Sequence, residues 1–252
     1  MFISSDNAAA IPDSSGICRE KMVDYRDFKL NKINEPRFKH LKYLLFWPIY
    51  LASFAILERV WIHPYYHPVH CAVDDVIPFC EYFLIPYFLW FPEFVFVQGY
   101  TLLFDTEEFK RYIRFLIIAF MGTILIYMIY PTCQELRVTE FPRDNILTDI
   151  VKALYSFDTN TNVCPSLHVI GAVAALISVW HAKGLKKMWI RILFIVLTLL
   201  ISLSTVFLKQ HSFVDVVAAL PVCLVAYMAV YVVGNRQRLR RRNQQSTEAN
   251  RI

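Results

Sequence analysis

Long apolar runs dominate this chain, and each must either cross a bilayer or be buried whole. Six are discernible, at about 41–57, 79–104, 112–130, 166–181, 189–208 and 212–234. A spanning helix needs about 20 mostly apolar residues, so these lengths suit a membrane. Soluble domains carry about 45–50% apolar residues; here the figure is 56%, with 15% aromatic residues. Rings are expected where helices meet the lipid–water boundary. Pro86 and Pro92 interrupt the second run, a pattern membrane helices tolerate when neighbours satisfy the freed carbonyls. Glu81 and Glu93 lie in the same run, and their charge requires that each face protein or water. The expected fold class is all-α, a polytopic membrane protein built as a six-transmembrane-helix bundle. Segment 1–40 precedes it, the membrane domain occupies 41–234, and a basic tail fills 235–252. Some forty polar residues before the first run do not resemble a cleaved signal, so the first span is expected to direct insertion.

Charge orients the bundle. With six spans, both termini share one side, and that side holds 21 of the 26 lysines and arginines. The other five are Arg59, Arg137, Arg143, Lys152 and Lys209. The positive-inside rule then places both termini in the cytoplasm of a multi-pass cell-membrane protein. Arg236, Arg238, Arg240, Arg241 and Arg242 directly follow the last span and read first as topology determinants, with an anionic-lipid or partner site as the alternative. The net charge of +5 comes mostly from these tails and does not indicate nucleic acid.

On this topology the remaining polar groups meet at one extracytoplasmic surface. Arg137 follows the third span, Cys164-Pro165-Ser166-Leu167-His168 opens the fourth, Ser204, Thr205 and Lys209 close the fifth, and His211 and Asp215 open the sixth. The residue types suit phosphoryl transfer, which needs cations and hydrogen-bond donors around the phosphoryl oxygens. Arg137 offers a fork and Lys209 a point charge. Ser166 and Ser204 offer hydroxyls, and Pro165 as a first-turn residue favours a helix start whose free amides meet an anion. Asp215 lies one helical turn after His211 and can orient its ring, presenting the other nitrogen for attack. Ser166 and His168, two apart, do not share a helical face, so both reach one phosphate only from a loop or an irregular helix start. Blander roles exist for single residues: a serine in a span bonds back to its own helix, and a juxtamembrane arginine snorkels to headgroups.

These residues resemble the second and third motifs of the type 2 phosphatidic acid phosphatase (PAP2) superfamily. The second motif, Pro-Ser-Gly-His, stands here as Pro165-Ser166-Leu167-His168. The third keeps the spacing of Ser204, His211 and Asp215 but carries Thr205 where arginine is usual, with Lys209 as a substitute charge. The first motif is weakest: Arg137 aligns with its arginine, Val138 with its proline and Tyr130 with its lysine. The Leu-His and Lys-Gln-His variants look more like the branch of inositol-phosphorylceramide and sphingomyelin synthases and their bacterial relatives. The resemblance covers roughly 113–234. It implies a metal-independent lipid phosphatase without cofactor. His211 would be the phosphohistidine nucleophile, Asp215 its orienting partner and His168 the acid for the leaving oxygen. Arg137, Ser166, Ser204 and Lys209 would bind phosphate. A headgroup phosphotransferase would use the same site. A non-catalytic lipid transporter or scaffold also fits six spans, but leaves the His168, His211 and Asp215 spacing unexplained.

Two further features remain open. The first outer loop holds His63, His67, His70, Asp74 and Asp75, which can be read as metal ligands, a headgroup entrance or ordinary loop; Pro64 and Pro68 disfavour a shared helical face. Six cysteines, Cys18, Cys71, Cys80, Cys133, Cys164 and Cys223, lack zinc-type spacing. Cys71, Cys133 and Cys164 fall on the outer side, where a disulfide such as Cys133–Cys164 is permitted.

Overall fold

A computed structural model describes residues 24–236 and 244. Cys18, Arg238, Arg240, Arg241 and Arg242 lie outside the described residues. Helix α1 (Phe46–Arg59) continues a 3₁₀ segment, Lys39–Leu45, and short α2 spans Ala72–Val76. Then come α3 (Leu84–Phe104), α4 (Thr106–Ile129), α5 (Ile146–Phe157), α6 (Leu167–His181), α7 (Met188–Phe207) and α8 (Phe213–Tyr227). A π-helical stretch, Met228–Val233, extends α8.

The structure corrects the span count. Among the described residues, four helices are long and apolar enough to cross a bilayer: Lys39–Arg59, Thr106–Ile129, Met188–Phe207 and Phe213–Arg236. The other two expected spans exist as helices but do not qualify. Helix α3 has 21 residues, but its apolar character is diluted by Trp90, Pro92, Glu93 and Gln98. Helix α6 has only 15. It is also the helix most enclosed by others, since Gly171, Ala172, Ala174, Ala175 and Ser178 are buried along it. Small residues let neighbouring backbones approach closely. The proline reading is refined too, because Pro92 alone is interior to α3 while Pro86 sits in its first turn, where proline costs less.

Helix α4 forms the other half of the core. Phe109, Tyr112, Ile113, Leu116, Ala119 and Phe120 are inaccessible to solvent along it. Asp105 starts α4 by accepting the Glu108 amide (3.2 Å), and Glu107 and Glu108 in the first turn favour the helix dipole. Exposed apolar residues such as Ile49 on α1, Val95 on α3, Leu199 on α7 and Leu224 on α8 give the bundle a greasy exterior. Such an exterior fits a lipid solvent, in which helices associate by packing and hydrogen bonding.

The connections at one end are knitted together. Two-residue strands β1 (His67–Pro68) and β2 (Thr132–Cys133) pair in parallel, and Cys133 also bridges to Thr161. The Thr132 hydroxyl accepts the amides of Val163 (3.2 Å) and Cys164 (3.0 Å). The Glu58 carboxylate, at the end of α1, accepts from Asn162 (2.8 Å) and from the Thr159 hydroxyl. This end therefore carries the segments that hold Arg137, Ser166, His168, Lys209, His211 and Asp215.

Candidate active site

The bent segment that leads into α6 ends at Ser166, which occupies the N-cap position with extended backbone. His168 therefore lies in the first helical turn, the irregular start that the two-residue spacing required. Pro165 precedes the cap rather than entering the helix, which corrects its expected first-turn position. Tyr127 of α4 fixes the segment by donating to the Pro165 carbonyl (2.5 Å). No side chain caps α6, and the buried Ser166 hydroxyl has no partner. An uncapped helix start beside a free hydroxyl is suited to an anion.

His211 sits in the tight turn between α7 and α8. The carbonyl of Thr205 accepts the amides of Gln210 (2.9 Å) and His211 (3.0 Å), and Lys209 turns the chain with a positive φ of 54°. Non-glycine residues adopt this conformation at a cost of order 1–3 kcal/mol, and such positions cluster at functional sites. Nδ1–H of His211 donates to Asp215 Oδ2 at 3.0 Å, which leaves Nε2 as the unbonded ring nitrogen. The same oxygen accepts the Ser212 amide (3.0 Å), and the Asp215 carbonyl accepts the Ser166 amide (3.1 Å). Asp215 thus ties the starts of α6 and α8 together. The His168 and His211 ring centres lie 5.8 Å apart, near enough for one phosphoryl group to touch both.

His168 is held between Tyr87 (4.6 Å) and Trp90 (5.0 Å) of α3. Gly171 makes room for that indole, since a Cβ there would meet Trp90 Nε1 at 2.6 Å.

The four expected phosphate ligands divide. Ser166 is beside the histidines. Ser204 is not available, because its hydroxyl donates to Ile201 O within its own helix (2.6 Å). Lys209 points away, donating to Asp74 O (2.8 Å) and Ile77 O (2.6 Å); burial lowers its pKa, opposed by Asp74 and Asp75. Arg137 reaches the edge of the site but is largely occupied. Its Nη groups donate to the carbonyls of Tyr155, Asp158 and Thr159 and to Gln210 Oε1, at 2.8–3.0 Å. Its buried Nε has no partner, and burial lowers its pKa against the pull of Asp158.

Three contributors lie outside the set expected around the histidines, although Asp74 stands among the outer-loop residues of a candidate headgroup entrance. Gln210 links Arg137 to the residue next to His211, and its Nε2 is buried without a partner. Asp74 comes from the outer loop and is 1% exposed. It accepts the Ser212 hydroxyl (2.6 Å) and the amides of Phe213 (2.7 Å) and Cys71 (2.9 Å). Burial alone pushes its carboxyl up, but those donors outweigh it and hold the pKa below the ordinary value. Helix α5 is the third, and Asp158 at its end is near enough for the charge of His211 to act against the upward push of burial. Helix α5 had a readable signal in the Asn145 cap and Thr148, which form a capping box. Nothing local in the sequence pairs Asp74 with residues 212–213.

The outer histidines do other things. His67 stacks on Tyr130 at 4.0 Å, and His70 pairs with Asp75 at 2.7 Å. Among the described residues, no group of three or more His, Cys, Asp or Glu is placed to hold a metal ion. Cys71, Cys80, Cys133, Cys164 and Cys223 are free thiols, so no Cys133–Cys164 bridge forms.

Compared with known proteins, residues 87–229 match the family described as the PAP2 superfamily. No curated protein and no solved structure matches the chain.

Proposed function

Because the chain belongs to the PAP2 superfamily, we propose that it is an integral-membrane enzyme that cleaves a lipid phosphate or diphosphate through a phosphohistidine on His211. The reading rests on one observation above all: His211, oriented by Asp215 at 3.0 Å, faces His168 with ring centres 5.8 Å apart. Nε2 of His211 attacks phosphorus and forms an N–P bond. The ester P–O bond breaks, and His168 delivers a proton to the departing lipid oxygen. Water, deprotonated by His168, then attacks the phosphohistidine and releases phosphate. Each transfer uses a positioned imidazole, the side chain that most often serves as general acid or base. Ser166, the α6 amides, Arg137 Nε and Gln210 Nε2 are the donors best placed to hold the phosphoryl oxygens. This keeps the expected helix start and replaces the expected roles of Ser204 and Lys209 with Gln210.

The wider topology belongs to the same proposal. Segment 1–40 and tail 235–252 lie in the cytoplasm, the four long apolar helices cross the bilayer with α3 and α6 packed among them, and the His211 end faces outward, with the cation asymmetry as support. A headgroup phosphotransferase differs only in admitting an alcohol where water would attack. The deciding experiment incubates purified protein with a panel of lipid phosphates, with and without acceptor alcohols, and follows phosphate release. An acid-labile phosphoprotein that is absent from His211→Ala is expected. Turnover undiminished in that variant sinks the reading.

A further inference from the structure

Helix α5 has three edges, and only two are explained by the protein and by water. Its inner edge, Leu147, Val151, Leu154 and Tyr155, packs with Leu84, Tyr87 and Leu208. A second edge, Asp149, Lys152 and Ser156, is exposed and polar. The third edge, Ile146, Ile150, Ala153 and Phe157, is exposed and apolar, with Ile146 at 75% and Phe157 at 78%. The spacing of four, three and four residues puts these side chains in one stripe along the helix. A helix wholly in water would carry polar residues on both exposed edges.

We infer that this third edge is bedded in the lipid leaflet at the His211 end, so that α5 lies in the plane of the membrane interface. Continuity with the lipid-facing surface of a spanning helix identifies the occupant. Arg59, the last residue of α1, donates to the Phe157 carbonyl (2.9 Å), joining the stripe to the end of a helix long and apolar enough to span. The residues that follow, Val60, Trp61 and Ile62, are exposed at 74%, 51% and 74%. They continue, in sequence, the exposed apolar residues of α1, among them Ile49 and Ile56, past the Arg59 that bonds to Phe157. An exposed tryptophan here is what a membrane boundary selects. A helix with one apolar edge, one polar edge and a short polar sequence on the water side sits at that boundary.

The seating has a consequence for the site. The Tyr155, Asp158 and Thr159 carbonyls at the end of α5 are held by Arg137, which also holds Gln210 beside His211. The depth of α5 therefore sets the depth of the His211 turn, at headgroup level. The seating of the helix does not depend on the reaction.

Carbene mapping of the full chain in phosphatidylcholine vesicles tests this. One probe is a phosphatidylcholine with a diazirine high in its acyl chain, and the other is a water-soluble diazirine. The lipid probe is expected to label the Ile146, Ile150, Ala153 and Phe157 edge as strongly as Ile49 and Ile56, and about tenfold above the Lys152 edge. The water-soluble probe should show the reverse. In the double variant Ile150→Asp, Phe157→Asp, lipid labelling of α5 should fall about tenfold with that of α1 unchanged. Stripe labelling by the aqueous probe at the level of Lys152 overturns the inference. So does exclusion of both probes, which would mean that protein covers the stripe.

Discussion

At the His211 end, connections 60–83, 130–166 and 208–212 come from different parts of the chain and are bonded to one another. Asp74 holds Ser212 and Phe213, Arg137 holds Gln210, Glu58 holds Asn162, and Tyr155 donates to Leu208 O (2.7 Å). At the opposite end, Asp105 alone separates α3 from α4, and six residues, 182–187, separate α6 from α7. Short turns only reverse the chain, whereas long connections can bring side chains from separate helices to one point. Such loops need cross-links, because ordering each residue costs about 1–2 kcal/mol of backbone entropy. Both ends hold a buried or half-buried histidine near a helix terminus, yet only one histidine has a carboxylate on one nitrogen and a second imidazole nearby. His181, at the other end, instead approaches its own helix at Ile177 O (2.8 Å) and packs on Tyr231 (4.4 Å).

This contrast is breakable by substitution. The largest effect is expected from His211→Ala, with turnover reduced about 10⁴-fold or more while the protein inserts and unfolds as before. His168→Ala should cost about 10²–10⁴-fold, the usual span for a lost acid–base group. His181→Ala should leave the rate within about twofold, having no acid–base task; a loss as large as that of His168→Ala would erase the distinction between the ends. Steady-state rates on one lipid phosphate suffice for all three.

Asp74→Ala comes next. It strips the partner from the Ser212 hydroxyl and the Phe213 amide, and should cost about 1–3 kcal/mol of stability together with part of the rate. If Asp74 positions the His211 turn, Asp74→Asn should recover the melting temperature more fully than kcat. Equal recovery of both would reduce Asp74 to a structural brace.

The smallest effect concerns acid. The Arg143 guanidinium donates to both oxygens of Glu81 (2.6 and 2.9 Å) and, against the effect of burial and with help from Asn145, holds that carboxyl down to about 2. The folded value lies below the ordinary 4.5, so the stabilisation is complete above about 4.5 and is lost as pH falls toward about 2. Thermal unfolding between pH 5 and 3 should therefore destabilise wild type more than Glu81→Gln. A parallel decline in both would show that the brace carries none of the acid sensitivity of this end.

Much of the helical layout was legible because apolar run length is a local property. Helices α4 and α7, and α8 together with its π-helical extension, begin and end within a few residues of the expected limits, apart from the polar first turn of α4. The spacing of His211 and Asp215 was equally readable, because one turn of helix brings them together wherever that helix lies. The number of true spans was less legible, since Glu93 and Gln98 in α3 and the short length of α6 are tolerable only where neighbouring helices surround them. Helix α5 is absent from the apolar runs because 12 residues with polar positions do not form a membrane run, although its cap is written in Asn145 and Thr148.

The sequence by itself determined that this chain is helical, that its exterior is greasy, and that two histidines and an aspartate stand at helix starts, because those properties depend on neighbours within a turn or a run. Only the tertiary structure decided which polar groups remain free beside the histidines. Ser204 spends its hydroxyl on its own helix, Lys209 and Arg137 spend most of their donors on carbonyls, and Gln210 and Ser166 keep theirs. That allocation follows from which carbonyl lies within hydrogen-bond reach of each donor, a matter of three-dimensional packing across residues as far apart as 74 and 212.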